Sequence, residues 1–536
     1  MRTARACILA VVVLACLPVM RAAGKHAGPS PEFHTSDRCL ACHNGLTTSQ
    51  GQDMSIGIDW RSSIMANSAR DPYWQGSVRR ETIDHPESKS AVEDECTVCH
   101  MPITRYLAKV QGKEGQAFAY LPFSAHRKGS PAAEDGVTCS VCHQITPDKL
   151  GTRESFNGGF VIGDSHDLHP EYGPFNISTP RQRIMESSTG GFIPTFGEQI
   201  RNAALCGTCH QLYTTARGPG GKDIGYLPEQ MPYLEWLHSD YLGKYTCQGC
   251  HMPEVHEAVP ITAVLGVPRN GLHQHVFVGG NFFMQRMLNQ YRSDLDVAAL
   301  PQELTTASNG TIAFLQSQAA RVTLRNVAVN AGKLQADVFV ENLTGHKLPT
   351  AFPSRRAWLH FLVRGRDGKI VFESGALNPD GSIVGNDNDA NAERFEPHYR
   401  EITSSDQVQI YEDILSDPAG HVTTGLLTAI GYLKDNRLLP TGFDKATAEK
   451  DIRVIGDAAD DPGFSGGSDL VRYSVPVSGG QGPFHVEVEL LYQPIGFRWA
   501  HNLAPYQAEE TQRFVHYYES MSTATAVTLA RAEVTR

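Results

Sequence analysis

The chain has 536 residues, a formal net charge of -11, 41% hydrophobic residues and 20% charged ones. This is long enough for roughly two to four domains and apolar enough for a packed core. No basic block offers the phosphate contacts that a nucleic acid would need, so nucleic acid is excluded as the partner.

At the N-terminus, Arg2 and Arg5 precede an apolar run from Ala6 to Met20, and Ala22, Ala23 and Gly24 follow as a small-residue cleavage site. The pattern reads as an export signal over residues 1–24, with a mature chain beginning near Lys25. At about 15 residues the run is short of the ~20 that a membrane-spanning helix needs. The expected location is therefore periplasmic or extracellular. Val13-Leu14-Ala15-Cys16 leaves one alternative, a lipid anchor at Cys16, although apolar residues follow that cysteine where polar ones are usual.

Twelve cysteines in an exported chain would ordinarily suggest disulfides, but their spacing says otherwise. Two lie in the export segment, and the remaining ten form five C-x-x-C pairs, each followed at once by histidine. The motifs are Cys39–Cys42–His43, Cys96–Cys99–His100, Cys139–Cys142–His143, Cys206–Cys209–His210 and Cys247–Cys250–His251. Two thiols at this spacing add across the two vinyl groups of one haem, and the next residue sets an imidazole under the iron. Redox dithiols do not require the histidine, and zinc ribbons use paired knuckles with four ligands each. Chance at this composition would supply on the order of 0.01 such motifs. The reading is five covalent haems with His43, His100, His143, His210 and His251 as proximal ligands.

Each iron has a sixth position. Histidine there gives a low-potential electron carrier, methionine raises the potential, and an empty site permits chemistry at the metal. His34, His85 and His126 stand shortly before a motif, and His166 flanks a turn in Asp164–Pro170. His275 lies two residues after His273, so in a strand the two would point the same way. His34, His85, His126, His166 and His275 are the leading distal candidates. His169, His238, His256, His273, His346 and Met65 rank below them.

The expected fold class is α+β and multidomain. Residues 25–290 form a haem-cored domain, mostly irregular or helical, with short helices carrying motifs near Cys96 and Cys206. Tyr233, Trp236, Tyr241 and Tyr245 are expected on haem edges. Residues 291–319 are a connecting segment, with a helix expected over Leu304 to Ala320 or, alternatively, starting only after the Asn309-Gly310 break. Beyond 320 the alternation in Val322–Val329, Leu334–Glu341, Trp358–Val363 and His485–Leu491 predicts strands of a β-sandwich-like domain over 320–536. A helix is expected around Thr424 to Leu433. The acidic loop Gly385–Ala390 offers Asp387 and Asp389 as a possible calcium pair, with a solvated turn as the favoured reading.

These motifs and their settings, Asp135-Gly-Val-Thr-Cys139, Glu235-Trp236 and Cys247-Gln-Gly-Cys-His-Met-Pro253, together with Asn342-Leu-Thr-Gly-His-Lys-Leu-Pro349 downstream, make the chain similar to bacterial multihaem c-type cytochromes of the cytochrome c-552/4-like group, pentahaem with a C-terminal β-domain. The resemblance implies respiratory or extracellular electron transfer between redox proteins. Some relatives are enzymes acting on nitrogen or sulfur oxyanions, so an oxidoreductase with one open haem is the alternative. The chain departs from the pentahaem nitrite reductases, which usually carry lysine in place of one motif histidine. His346 sits in a Gly345-flanked turn and could reach a haem or simply bond within its own loop. Arg355 and Arg356 could pair with haem propionates.

Overall fold

The computed structural model describes residues 33–121, 123, 131–163 and 169–536. The N-terminal segment read as an export signal, Cys16, His126 and His166 lie outside these residues. The described architecture is α+β: short helices and small two-stranded sheets in the first part, and larger antiparallel sheets in the second.

In the second part, alternation builds two facing sheets. Strands Ala320–Asn330 and Lys333–Asn342 pair as a hairpin, and Ser468–Pro476 joins the far side of Lys333–Asn342. The other sheet centres on Arg356–Arg364, flanked by His485–Gln493 and Ile370–Ser374, with Val527–Thr535 on the outer side of His485–Gln493. Inward residues meet between the sheets. Phe361 stacks on Tyr473 at 3.9 Å, and Val338, Val340, Val471, Val488 and Leu490 are fully buried around them. Each such side chain contributes roughly 1.5–3 kcal/mol of burial.

The connecting helix forms in its longer version, and the helix expected around 424–433 does not form. The connecting helix runs unbroken over Pro301–Gln318, through Asn309-Gly310. A glycine there costs ~1 kcal/mol, less than the burial of Leu304 and Leu315 on the same helix returns. Residues 424–433 are not helical. A turn at 426–428 leads into strand Gly431–Asp435. Tertiary partners take the backbone groups a helix would have used: Glu81 accepts from the Leu426 and Leu427 amides, and the Arg217 amide donates to the Leu427 carbonyl. The clearest helix of this part is Glu509–Ser520, which buries Phe514, Tyr517 and Tyr518 on one face.

The two parts are tightly joined. Helix Pro72–Asp84 packs on Glu509–Ser520, and Arg79 grips Glu510 with two bonds of 2.8 Å. Arg61 pairs with Glu303 at the start of the connecting helix.

Candidate haem-binding site

The motif cysteines sit on short helices that converge on one cavity. Lys89–His100 carries the second motif whole, and Cys139–Gln144 and Cys247–His251 begin at their first cysteines. All ten motif cysteines and all five motif histidines line a single cavity of about 1770 Å³. A pocket for one small ligand usually measures ~300–1,000 Å³, so this space suits several large groups in contact. The thiols of different motifs touch: Cys39 with Cys139, Cys99 with Cys209, and Cys206 with Cys247. Cys142 lies beside Cys206 and Cys209. The five motifs therefore form one connected array.

The lining fits haem. Ile184, Tyr245, Val264, Leu265 and Val267 are large, exposed apolar residues, Leu265 at 69%, and all five face the cavity. A flat apolar macrocycle would cover them. Tyr233, Trp236 and Tyr241 line it as well, as expected of haem-edge aromatics. Its cations are arginines, Arg38, Arg181, Arg201, Arg269 and Arg355, the side chain best shaped to pair with a carboxylate.

Four of the five motif imidazoles are held by backbone carbonyls. The Nδ1–H of His43 donates to Ile261 O at 2.6 Å, of His100 to Ser68 O at 2.9 Å, of His143 to Tyr172 O at 2.6 Å and of His251 to Val278 O at 2.6 Å. This bond fixes the tautomer and leaves Nε2 as the ligand atom. Burial lowers the pKa of all five, to about 4 for His100 and His210, so the rings are neutral as ligation requires.

Two further histidines face motif imidazoles. His275 lies opposite His143 with ring centres 6.4 Å apart and planes 18° apart; His346 lies opposite His251 at 6.2 Å and 11°. Rings in direct van der Waals contact would be much closer. Two imidazoles sharing one iron, each bound at ~2 Å, have ring centres roughly 6 Å apart. His275 Nδ1 donates to His273 O at 3.0 Å and His346 Nδ1 to Lys347 O at 2.8 Å, leaving both Nε2 atoms for a metal. Burial lowers their pKa to about 3 and about 4.

The other candidates are placed as follows. His273 lines the cavity, with Nδ1 2.5 Å from Met252 O, and Met65 also lines it. His34 turns its Nε2 to Thr189 O at 2.6 Å and packs on Phe192. His85 points at Thr428 Oγ1, 3.3 Å away in the β-domain, and His238 at Glu449, 3.2 Å away. His169 is buried against Phe192 and His256 is exposed. Of the two arginines expected near propionates, Arg355 lines the cavity, but Arg356 does not. It is buried in a two-pronged pair with Asp389 at 2.8 and 2.9 Å. The same pair commits the acidic loop, because Asp389 serves Arg356 while Asp387 turns to Arg394 at 3.1 Å. Nearness in sequence favoured His34 and His85, yet His346 comes from the β-domain. The carbonyl acceptors carry no sequence signal at all.

A second cluster of ligand-type residues, His398, Asp461 and Asp469, lies buried in the β-domain. His398 Nδ1 accepts from Gln409 Nε2 at 2.8 Å and Asn436 Nδ2 at 3.1 Å, and both amides are oriented by other bonds. The proton of the neutral ring is therefore on Nε2, which faces Asp461 at 3.3 Å and Asp469 at 3.8 Å. Nε2 makes no hydrogen bond to either carboxylate, and a metal there would need the lone pair that this proton occupies.

No protein-family model and no curated protein matches the sequence. Among solved structures the chain is similar to a penta-heme cytochrome c552 from Thermochromatium tepidum. Identity is 17%, the TM-score is 0.53, and the match covers 95% of this chain and 100% of that one. At this identity the likeness shows a common fold, that of a multihaem cytochrome.

Proposed function

We propose that this chain is a pentahaem c-type cytochrome that transfers electrons between redox proteins. The observation that carries the reading is the convergence of all five haem motifs on one cavity, with the thiols of neighbouring motifs in contact. When bound, haem supplies an iron that accepts and releases single electrons. The chain does the rest: it anchors each group through two thiols, orients four of the five proximal imidazoles through backbone carbonyls and excludes water with an apolar wall. His143 with His275 and His251 with His346 are the proposed axial pairs. Export is proposed from the N-terminal segment, because c-type haem is attached outside the cytoplasmic membrane. Among the described residues no helix is long and apolar enough to cross a membrane.

One observation favours the second reading, an oxidoreductase acting on a nitrogen or sulfur oxyanion at an open haem. Among the described residues, no second imidazole faces His43, His100 or His210 at axial spacing. His100 instead stacks on Trp74 at 4.4 Å.

Intact mass and electronic spectra of the purified holoprotein test both. Five haem additions and mostly or wholly low-spin iron are expected. Fewer than five additions in a fully matured sample defeats the motif reading. A stable high-spin fraction near one haem in five, with turnover of nitrite, hydroxylamine or sulfite, transfers the conclusion to the enzyme. His275→Ala should turn one haem high-spin while leaving all five attached.

A further inference from the structure

The β-domain loop that carries His346 is held from the haem side by a buried carboxylate. Glu235 lies in helix Pro232–Leu237, whose Tyr233 and Trp236 form part of the cavity wall. It is fully buried, and one of its oxygens, Oε2, accepts from the Lys347 amide at 3.1 Å and from Thr350 Oγ1 at 2.5 Å. These two donors flank the loop just after His346. Its other oxygen, Oε1, lies 3.3 Å from Arg437 Nη1. Arg437 in turn grips Asp435 with bonds of 2.9 and 2.7 Å and lies 3.3 Å from Asp413. Lys347 Nζ closes the ring on Asp435 at 2.7 Å. All five ionisable side chains are buried.

The start of the loop is fixed independently. Asn342 Nδ2 donates to His346 O at 2.8 Å, and Tyr241 of the haem side donates its hydroxyl to Leu343 O at 2.6 Å. Gly345 packs so closely on the Tyr241 ring that a Cβ would stand 3.1 Å from it. The imidazole thus has its backbone clamped on both sides, and the later clamp is ionic.

We propose that Glu235 is a positioning residue: it holds the β-domain loop so that His346 meets the iron of the Cys247–His251 haem, and it joins that ligand to the buried cluster of Lys347, Asp413, Asp435 and Arg437. The inference rests on His346 being an axial ligand. A buried, unpaired charge is unstable, so displacing the loop would strip Glu235 of two donors and Asp435 of the Lys347 ammonium. This resists loss of the ligand. A fixed anion behind the axial ligand also favours the more positive, oxidised iron, and so keeps its potential low.

The test uses the full-length holoprotein and three variants: His346→Ala, Glu235→Gln and the milder Thr350→Val. Haem count, spin state, carbon monoxide binding to the reduced protein and midpoint potentials are read for each. His346→Ala should open one haem, seen as one carbon monoxide bound per chain, with five haems still attached. Glu235→Gln should give partial high-spin character and carbon monoxide binding at that same haem, and raise its potential. Thr350→Val should do so more weakly. If His346→Ala opens a haem but both other variants keep the parent's spin state, potential and carbon monoxide binding, Glu235 is a structural residue only and the inference fails. If His346→Ala itself leaves the spectrum unchanged, the axial pairing fails, and the role of Glu235 falls with it.

Discussion

The two parts of this molecule are built on different physics. In the β-domain, side chains fill the interior: Phe361 lies flat on Tyr473 between two sheets, and the residues around them are fully buried. On the haem side the described residues bury smaller clusters, such as Phe33 with Ile103, Val141 and Leu205, around a cavity lined by exposed apolar side chains. Such a region reaches native packing density only when something apolar fills the space. One part is stabilised by its own sequence and the other by its cofactors, so the same perturbation should affect them in opposite ways.

The largest expected effect comes from blocking haem attachment altogether. The first part should then fail to fold, while the β-domain keeps a cooperative transition, and limited proteolysis should leave a fragment beginning near 320. Survival of an intact apo-chain, or loss of both parts together, breaks the comparison. The complementary change is Leu490→Ala in the sandwich core, expected to cost about 2–5 kcal/mol. Denaturation followed by far-ultraviolet signal should report that loss while haem count and visible spectrum stay as in the parent.

A smaller effect is expected from pH. Burial raises the Asp413 carboxyl to about 7, so it is protonated in the folded chain and ionised in the unfolded chain across the interval from about 4 to 7. The unfolded state then binds fewer protons, and this group makes stability fall as pH rises through that window. Asp413→Asn should flatten the slope, measured as melting temperature against pH. An unchanged slope means that the carboxyl is ionised throughout. The smallest effect expected is a gain. Gly310 is in mid-helix with open space where a Cβ would stand, so Gly310→Ala should stabilise by ~0.5–1 kcal/mol.

This division also explains what could be read from the sequence. Haem motifs are legible because their chemistry is local, with both thiols and the imidazole within five consecutive residues. The long strands are legible because alternation is local too: Leu334–Glu341 falls inside Lys333–Asn342, and His485–Leu491 inside His485–Gln493. Segments decided by distant partners were not legible. Residues 424–433 read as a helix until Glu81 takes their amides. Distal ligands depend on which loops meet in space, and a histidine close to a motif in the chain, such as His85, can point into the other domain.

The carbonyls that hold the proximal imidazoles also set an order in time. Ser68 precedes His100, so that acceptor is already present when its histidine arrives. Tyr172 and Val278 come 29 and 27 residues after His143 and His251. Ile261 comes 218 residues after His43. In a chain delivered N-terminus first, the first haem site to emerge is thus among the last to be locked. It must wait, loaded or empty, with its ring free to turn, until about two fifths of the sequence has followed.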